Sequence, residues 1–251
     1  MALTLPADGP LAIAVVDAIR SGKLVELKRL LAEHPGLATT RVIGNDVCAG
    51  QRTLLHIATD WPGHFPHAAA TVAALVDAGA DVNARFVGAH TETPLNWAAS
   101  SNDVAVIDAL LDAGADIEAT GAVMGGGSPL ADARGFGQWQ AARRLLERGA
   151  RPSLNDAATL GLMDRLDGFF EGPRVPSEEQ ITRAFWAACH GGQRGDRLVE
   201  DPRRQVPNGA HRVESRRMTA EVVPRPPHVA LRRAHPAVTA NDPSDDAYQS
   251  D

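Results

Sequence analysis

An all-α fold of stacked helix–turn–helix units, joined by hairpin turns, is expected from three features of this 251-residue chain. A glycine-alanine step follows a leucine- or valine-rich segment at Gly79-Ala80, Gly114-Ala115 and Gly149-Ala150, each 35 residues after the last. The first two steps continue alike, as Asp81-Val82-Asn83-Ala84 and Asp116-Ile117-Glu118-Ala119. Between them recurs a second phrase, Thr93-Pro94-Leu95-Asn96-Trp97-Ala98-Ala99, echoed by Thr53-Leu54-Leu55-His56-Ile57-Ala58 and Ser128-Pro129-Leu130-Ala131-Asp132-Ala133. A fixed period in the thirties marks an array in which each unit is one supersecondary element.

The phrase has the chemistry of a helix start. Thr93, Thr53 and Ser128 suit the N-cap, where a hydroxyl accepts from an otherwise orphaned first-turn amide. Pro94 and Pro129 fall at the first helical position, where a missing N–H costs nothing. The Ala98-Ala99 pair lets neighbouring helices approach, and Leu110-Leu111 and Leu145-Leu146 supply bulk on the second helix. Gly79, Gly114 and Gly149 fit the left-handed residue that ends a helix.

In chain order, these marks delimit about five and a half units. The first is a degenerate cap, with Ala18, Gly22, Leu27, Leu30 and Leu31 in helical spacing and His34-Pro35-Gly36 as its stop. The second, Gly50 to Arg85, carries five extra residues between its helices; the third, Phe86 to Ala119, is the most regular. The fourth, Thr120 to Pro152, opens on a glycine-rich turn, Gly121 to Ser128. The fifth is short, centred on Asn155 to Ala158 and ending near Phe169-Phe170, and the last begins at Ala184 and breaks off after Gly191-Gly192.

These residues resemble the ankyrin repeat, with its T-P-L-H-x-A-A phrase and its G-A-D-x-N turn. The resemblance implies a solenoid over residues 1–200 and a non-enzymatic scaffold that binds a protein partner, with no cofactor and with a monomer as the default. It also implies where the partner would sit. Carried over by position, the groove pairs are Arg20/Ser21, Asp60/Trp61, Ser100/Ser101, Gly135/Phe136, Thr159/Leu160 and Cys189/His190, and the turn positions include Arg52, His90, Glu92, Met124 and Gly127. Partner contact is therefore expected at Arg52, Asp60, Trp61, Phe65, His90, Glu92, Ser100, Ser101 and Phe136, whereas Trp97, Trp139 and Trp186 are expected to pack between units.

Catalytic and metal readings find little support. His64-Phe65-Pro66-His67 has the gap of a ligand pair, but the intervening proline and the lack of a third ligand point to a loop. His56 stands where the ankyrin phrase has its structural histidine. Cys189 and His190 are sequence neighbours, about 100° apart on a helix, a poor nucleophile–base pair. The glycine-rich turn lacks the lysine of a phosphate loop and follows a helix. The acidic side chains are scattered, with no evident acid/base couple.

Residues 1–193 hold 15 basic and 22 acidic side chains. From Arg194 onward there are ten arginines, no lysine and seven prolines, a composition expected to leave residues 201–251 as a disordered tail, native or the product of a shifted reading frame. Residues 194–235 carry a net charge of plus five, so nucleic-acid binding through the tail is the alternative function. The start lacks a basic signal region, no apolar run reaches the roughly 18 residues of a span, and Cys48 and Cys189 form no disulfide framework. A cytoplasmic protein is the expectation.

Overall fold

The computed structural model of the chain describes residues 3–44, 50–172 and 174–192. The expected disordered tail, the arginine-rich alternative site within it, and Cys48 lie outside the described residues. The described elements run β1 (Thr4–Pro6), α1 (Pro10–Arg20), α2 (Leu24–Glu33), a 3₁₀ turn (Leu37–Thr39), β2 (Arg41–Ile43), β3 (Gln51–Thr53), α3 (Leu54–Ala58), α4 (Ala68–Asp77), α5 (Pro94–Ser100), α6 (Val104–Asp112), α7 (Pro129–Gly135), α8 (Trp139–Glu147), α9 (Leu154–Leu160), α10 (Met163–Glu171) and α11 (Glu178–His190).

Each expected phrase becomes a short first helix followed by a second one. The first helices pack in succession, α1 on α3, α3 on α5, α5 on α7, α7 on α9 and α9 on α11. The second helices do likewise, α2 on α4, α4 on α6 and α6 on α8. Both rows contribute to the core. The first is lined by buried alanines, among them Ala18, Ala58, Ala98, Ala99, Ala133, Ala157, Ala158, Ala184 and Ala188, whose small side chains allow close approach. Bulk comes from both rows, with Ile19, Leu54, Leu55, Leu95 and Leu130 of the first and Leu27, Leu75, Ile107, Leu110 and Leu145 of the second fully enclosed.

The caps form as expected at two of the three phrases, and a further one forms at Ser153. Thr53, Thr93 and Ser153 each form a reciprocal capping box with His56, Asn96 and Asp156. Ser128 stands at the N-cap of α7 but makes no side-chain cap bond; the Ala131 amide donates to its backbone carbonyl instead, at 2.9 Å. The glycine-alanine steps close the second helices: Gly79, Gly114 and Gly149 are left-handed at φ 95°, 89° and 99°. In each, the following alanine amide reaches back to Leu75, Leu110 or Leu145, the long bond of a Schellman close.

The hairpin turns are cross-linked by their own motif. Asp81 Oδ1 accepts from the Asn83 amide at 2.9 Å, which shapes the turn, and Asn83 Oδ1 then accepts from the Asp116 amide of the next unit at 2.8 Å. One unit on, Asp116 and Glu118 repeat the arrangement, with Glu118 Oε1 accepting from the Arg151 amide at 2.7 Å. The Asp-x-Asn spacing is thus a device for joining neighbours, and glutamate substitutes for asparagine where only an acceptor is needed.

Two features depart from a purely helical expectation. A three-stranded sheet, ordered β1-β2-β3, forms at the start of the chain, with β1 parallel to β2 and β2 antiparallel to β3. The bridge from Gln51 to Val87 carries the pairing to the next hairpin. Its strands are turn arms of three residues each, too short to show alternation in sequence. The second departure is Trp186, expected to be packed but 66% exposed on α11. Trp97 is buried as expected, and Trp139 is half-buried.

Leu110, wholly enclosed on α6, which packs on α4 and α8, tests the register. Leu110→Ala is expected to cost about 2–5 kcal/mol by the cavity it leaves, measured by chemical denaturation of the chain; a loss below about 0.5 kcal/mol would mean that the site collapses or is not where the packing puts it.

Candidate partner-binding face

The expected contact residues separate into two groups. Trp61 is 58% exposed and Phe136 37% exposed, and each stands eight residues after its unit's N-cap, Thr53 or Ser128. Arg52, Phe65, His90 and Ser100 are half-buried. Asp60, Glu92 and Ser101 are buried.

Each buried residue has an internal task or setting. Asp60 Oδ2 receives Arg20 Nη2 at 3.2 Å and Arg52 Nη1 at 3.1 Å, and its other oxygen accepts from the Trp61 amide at 3.0 Å. A carboxylate removed from water is tolerable when its lone pairs are met in this way, and the arrangement sets the chain direction into Trp61. Ser101 is covered by the segment between α3 and α4. There His64 donates its amide to Asp103 Oδ2 at 2.8 Å, its ring Nε2 lies 3.1 Å from the Ser101 carbonyl, and Gly63 sits so near Ser101 that a Cβ would come within 2.8 Å. The same segment touches the first unit, since a side chain at Gly22 would collide with the Pro66 carbonyl. The inserted residues are therefore a strap lying across three units, and the His64 ring is spent on structure. Among the described residues, no group of three or more His, Cys, Asp or Glu is arranged to hold a metal ion.

Ser100 turns its hydroxyl to the Trp97 carbonyl at 2.9 Å, and its own carbonyl accepts from Gln138 Nε2 of the next unit at 3.2 Å. Phe65 packs against the core. Of the other positions carried over, Arg20, Ser21, Cys189 and His190 are exposed, Gly127 and Leu160 half-buried and Thr159 buried. Gly135 lies against the Met124 side chain.

Behind this face runs a thread of buried polar groups linking the units. His56 Nδ1 accepts from the Thr53 hydroxyl at 2.8 Å, which leaves the proton on Nε2, and Nε2 donates to the Glu92 carbonyl at 3.1 Å. Burial pushes the His56 ring down to about 4, so it is held neutral. Asn96 donates to Asp132 Oδ2 at 2.9 Å, and Arg134 to Asp156 Oδ1 at 2.7 Å. The residue that closes each capping box is also the link to a neighbouring unit.

Glu92 and Asp132 are the residues that sequence reasoning passes over as a pair. Both are essentially inaccessible, at 1% and 0%. Glu92 accepts from Trp97 Nε1 at 2.8 Å and from the Val123 amide at 3.2 Å. His90 Nδ1 lies 2.9 Å from Glu92 Oε2 with its N–H off the line between them, and its ring stacks on Phe86 at 4.4 Å. The two carboxyls are near enough for the charge of Glu92 to act on Asp132. Burial, then the charge of Glu92, pushes Asp132 up to about 7. Burial acts to raise Glu92 as well, but the His90 ring and the Val123 amide hold it below the usual carboxylate range. Of the two, Asp132 is therefore the carboxyl pushed toward its protonated form. The signal is present in the register: Asp132 occupies the phrase position held by Ile57 and Trp97 elsewhere, a place for an apolar side chain.

With two rows of helices, glycine-closed turns and this thread in place, comparison with protein families adds one decisive match. The ankyrin repeat family model covers residues 90–119, the most regular unit. That unit is therefore similar to an ankyrin repeat. No curated protein matches it. Ankyrin repeats generally mediate protein–protein interaction and are generally not enzymes. The repeat that matches runs from His90 through α5 and α6 to Ala119, and so contains Glu92 but not Asp132. Among the described residues, no helix is long and apolar enough to cross a membrane.

The neutral state of His56 in this stack of helix pairs has a measurable consequence. Its folded value lies below its unfolded one, so the unfolded chain takes up a proton that the folded chain refuses, and stability falls as pH drops from about 6.5 toward 4. The contribution is at most about 3 kcal/mol over that window. His56→Asn, which places there the residue that Asn96 supplies one unit on, is expected to flatten stability against pH between about 4.5 and 6.5, read by denaturation at each pH; an unchanged slope would show that His56 titrates alike in both states.

Proposed function

We propose that the chain is a non-enzymatic recognition scaffold. In this reading, residues 1–200 form one ankyrin solenoid whose groove and hairpin tips grip a protein partner. The observation that carries the reading is the pair Trp61 and Phe136, large aromatic surfaces held toward solvent at matching positions of different units. Exposed aromatics set in a rigid frame are the residues that dominate protein interfaces. The frame around them is rigid for stated reasons: Asp60 anchors the entry to Trp61, and α7 leads directly into Phe136. Arg52, Phe65, His90 and Ser100 would form the margin of the contact. Asp60 and Ser101 support it from beneath, and Glu92 supports the hairpin tip. Two cysteines far apart in sequence fit a reducing, cytoplasmic setting.

The test compares the full chain with the double variant Trp61→Ala/Phe136→Ala as baits in a pull-down from the source cell. The variant is expected to keep its denaturation midpoint and to lose the partner, with affinity for the recovered protein falling about 30-fold or more, the effect of losing about 2 kcal/mol at a hot spot. Trp97→Ala should do the opposite, lowering stability first, since its indole is buried and bonded to Glu92. Recovery of the same proteins by wild type and double variant would remove Trp61 and Phe136 from the contact. A loss of stability in the double variant equal to that of Trp97→Ala would mean both rings are packing residues.

A further inference from the structure

We propose that the Glu92–Asp132 pair is a proton-operated latch that holds the glycine-rich hairpin of residues 121–127 against the stack while the two carboxyls share a proton, and lets it go when that proton is lost.

The argument starts from what fastens the hairpin. Within itself it is closed by Gly121 to Gly126 and Ala122 to Gly127 backbone bonds, both 3.0 Å. Four of its seven residues are glycines, so it loses unusually much backbone freedom on ordering. Its two consecutive amides at the tip are each directed onto one of the carboxyls, Val123 N on Glu92 Oε1 at 3.2 Å and Met124 N on Asp132 Oδ1 at a long 3.4 Å. Beyond these it is held by Met124 lying over Gly135, by Gly121 resting on Thr91, by the burial of Ala122 and by the Arg85 guanidinium at the Thr120 carbonyl. The two amide bonds therefore join the hairpin tip to the only acidic pair buried beneath it among the described residues.

The surroundings decide what a second charge would do there. From α5, Asn96 and Trp97 offer neutral donors, one to each carboxyl. From the preceding hairpin comes His90, whose Nδ1 lies 2.9 Å from Glu92 Oε2. From α3, His56 spends its Nε2 proton on the Glu92 carbonyl, and Arg41, at the edge of the cluster, is bound to the Arg85 and Gln51 carbonyls. From α9, Asp156 is matched by Arg134. No arginine or lysine is paired with either carboxyl among the described residues. With the proton present, the pair carries a single negative charge. Without it, two anions confront each other in a site with at most one imidazolium to answer them, and like charges so placed strongly disfavour the doubly ionised state. The pair titrates as a unit, and the burial and charge that push Asp132 up to about 7 put its last proton near neutrality.

The sign follows from linkage. Asp132 has a folded value above its unfolded one, so the stabilisation its proton provides is complete at acid pH and is lost as pH rises through about 7. The weakest attached element around the pair is the glycine hairpin, and that is where the loss is expected to appear. The latch is independent of any partner, because its readout is the protection of the Val123 and Met124 amides themselves.

Hydrogen exchange of those two amides in the full chain, corrected for intrinsic base catalysis, tests it between pH 6 and 8.5. Wild-type protection is expected to fall by roughly tenfold or more across the interval, as it does for each pH unit above a coupled group's midpoint, while the Ala115 and Ala150 amides of the neighbouring turns stay level. Asp132→Asn, which removes the titrating proton and keeps one acceptor oxygen, should show protection that does not change with pH, whatever its level. Flat protection in the wild type, or a fall of the same size in Asp132→Asn, would overturn the latch. Carboxyl-carbon NMR titration of the wild-type chain gives a reading that needs no variant. An Asp132 signal that moves with a midpoint between 6 and 8, in step with the loss of protection, supports the proposal, and one already fully shifted below pH 5 overturns it.

Discussion

No unit of this chain can cover both of its apolar faces, so the close approach of successive first helices is the constraint on which the remaining structure depends. Alanine lines that contact because a larger side chain would hold the backbones apart. That contact is flanked by bulk from both rows, Ile19, Leu54, Leu55, Leu95 and Leu130 of the first and Leu27, Leu75, Ile107, Leu110 and Leu145 of the second. It also brings polar atoms from neighbouring units into reach of one another. His56, Asn96 and Asp156 can serve both their own helix and an adjacent unit only because those units are so near. Spacing and polar thread are two results of one geometric demand.

The parts of this arrangement that can be read from the residues alone are those with a local cause. A threonine that caps, a proline that tolerates the first turn and a glycine that must be left-handed act within a few residues, and the fold places them where their chemistry requires. Buried Trp97 and enclosed Leu110 follow from the same register. What escapes has causes distant in sequence. The fate of Asp60 depends on Arg20, forty residues away, and that of Ser101 on a strap whose path a loop composition does not reveal. Glu92 reads as a turn residue because its neighbours in sequence are turn residues, yet its oxygens answer Trp97 and Val123. Trp186 departs in the other direction: an indole in a helical phrase suggests packing, but the face it occupies on α11 is exposed.

The candidate face inherits this division. Where a position carried over from the repeat pattern is charged and small enough to be drawn inward, the stack has claimed it, as with Asp60 and Glu92. Where it is a large aromatic at the end of a first helix, it remains outside. The irregular parts of the chain, the insertion after α3 and the glycine turn before α7, lie beside those aromatics and differ from each other in how they are held. One is pinned by backbone and ring bonds that do not titrate on Asp132, the other by two amides on a shared proton.

The strap also changes how this stack should come apart. In a simple linear array each unit feels only the one before and the one after, and unfolding can begin at an end and travel inward one interface at a time. Here the residues between α3 and α4 rest on Gly22 of the first unit and on Ser101 and Asp103 of the third. Melting either neighbour strips contacts from the same segment, so the first three units should behave as one cooperative block. The far end, closed by the small cluster around Leu166 and Ala184, has no such tie among the described residues and should fray first.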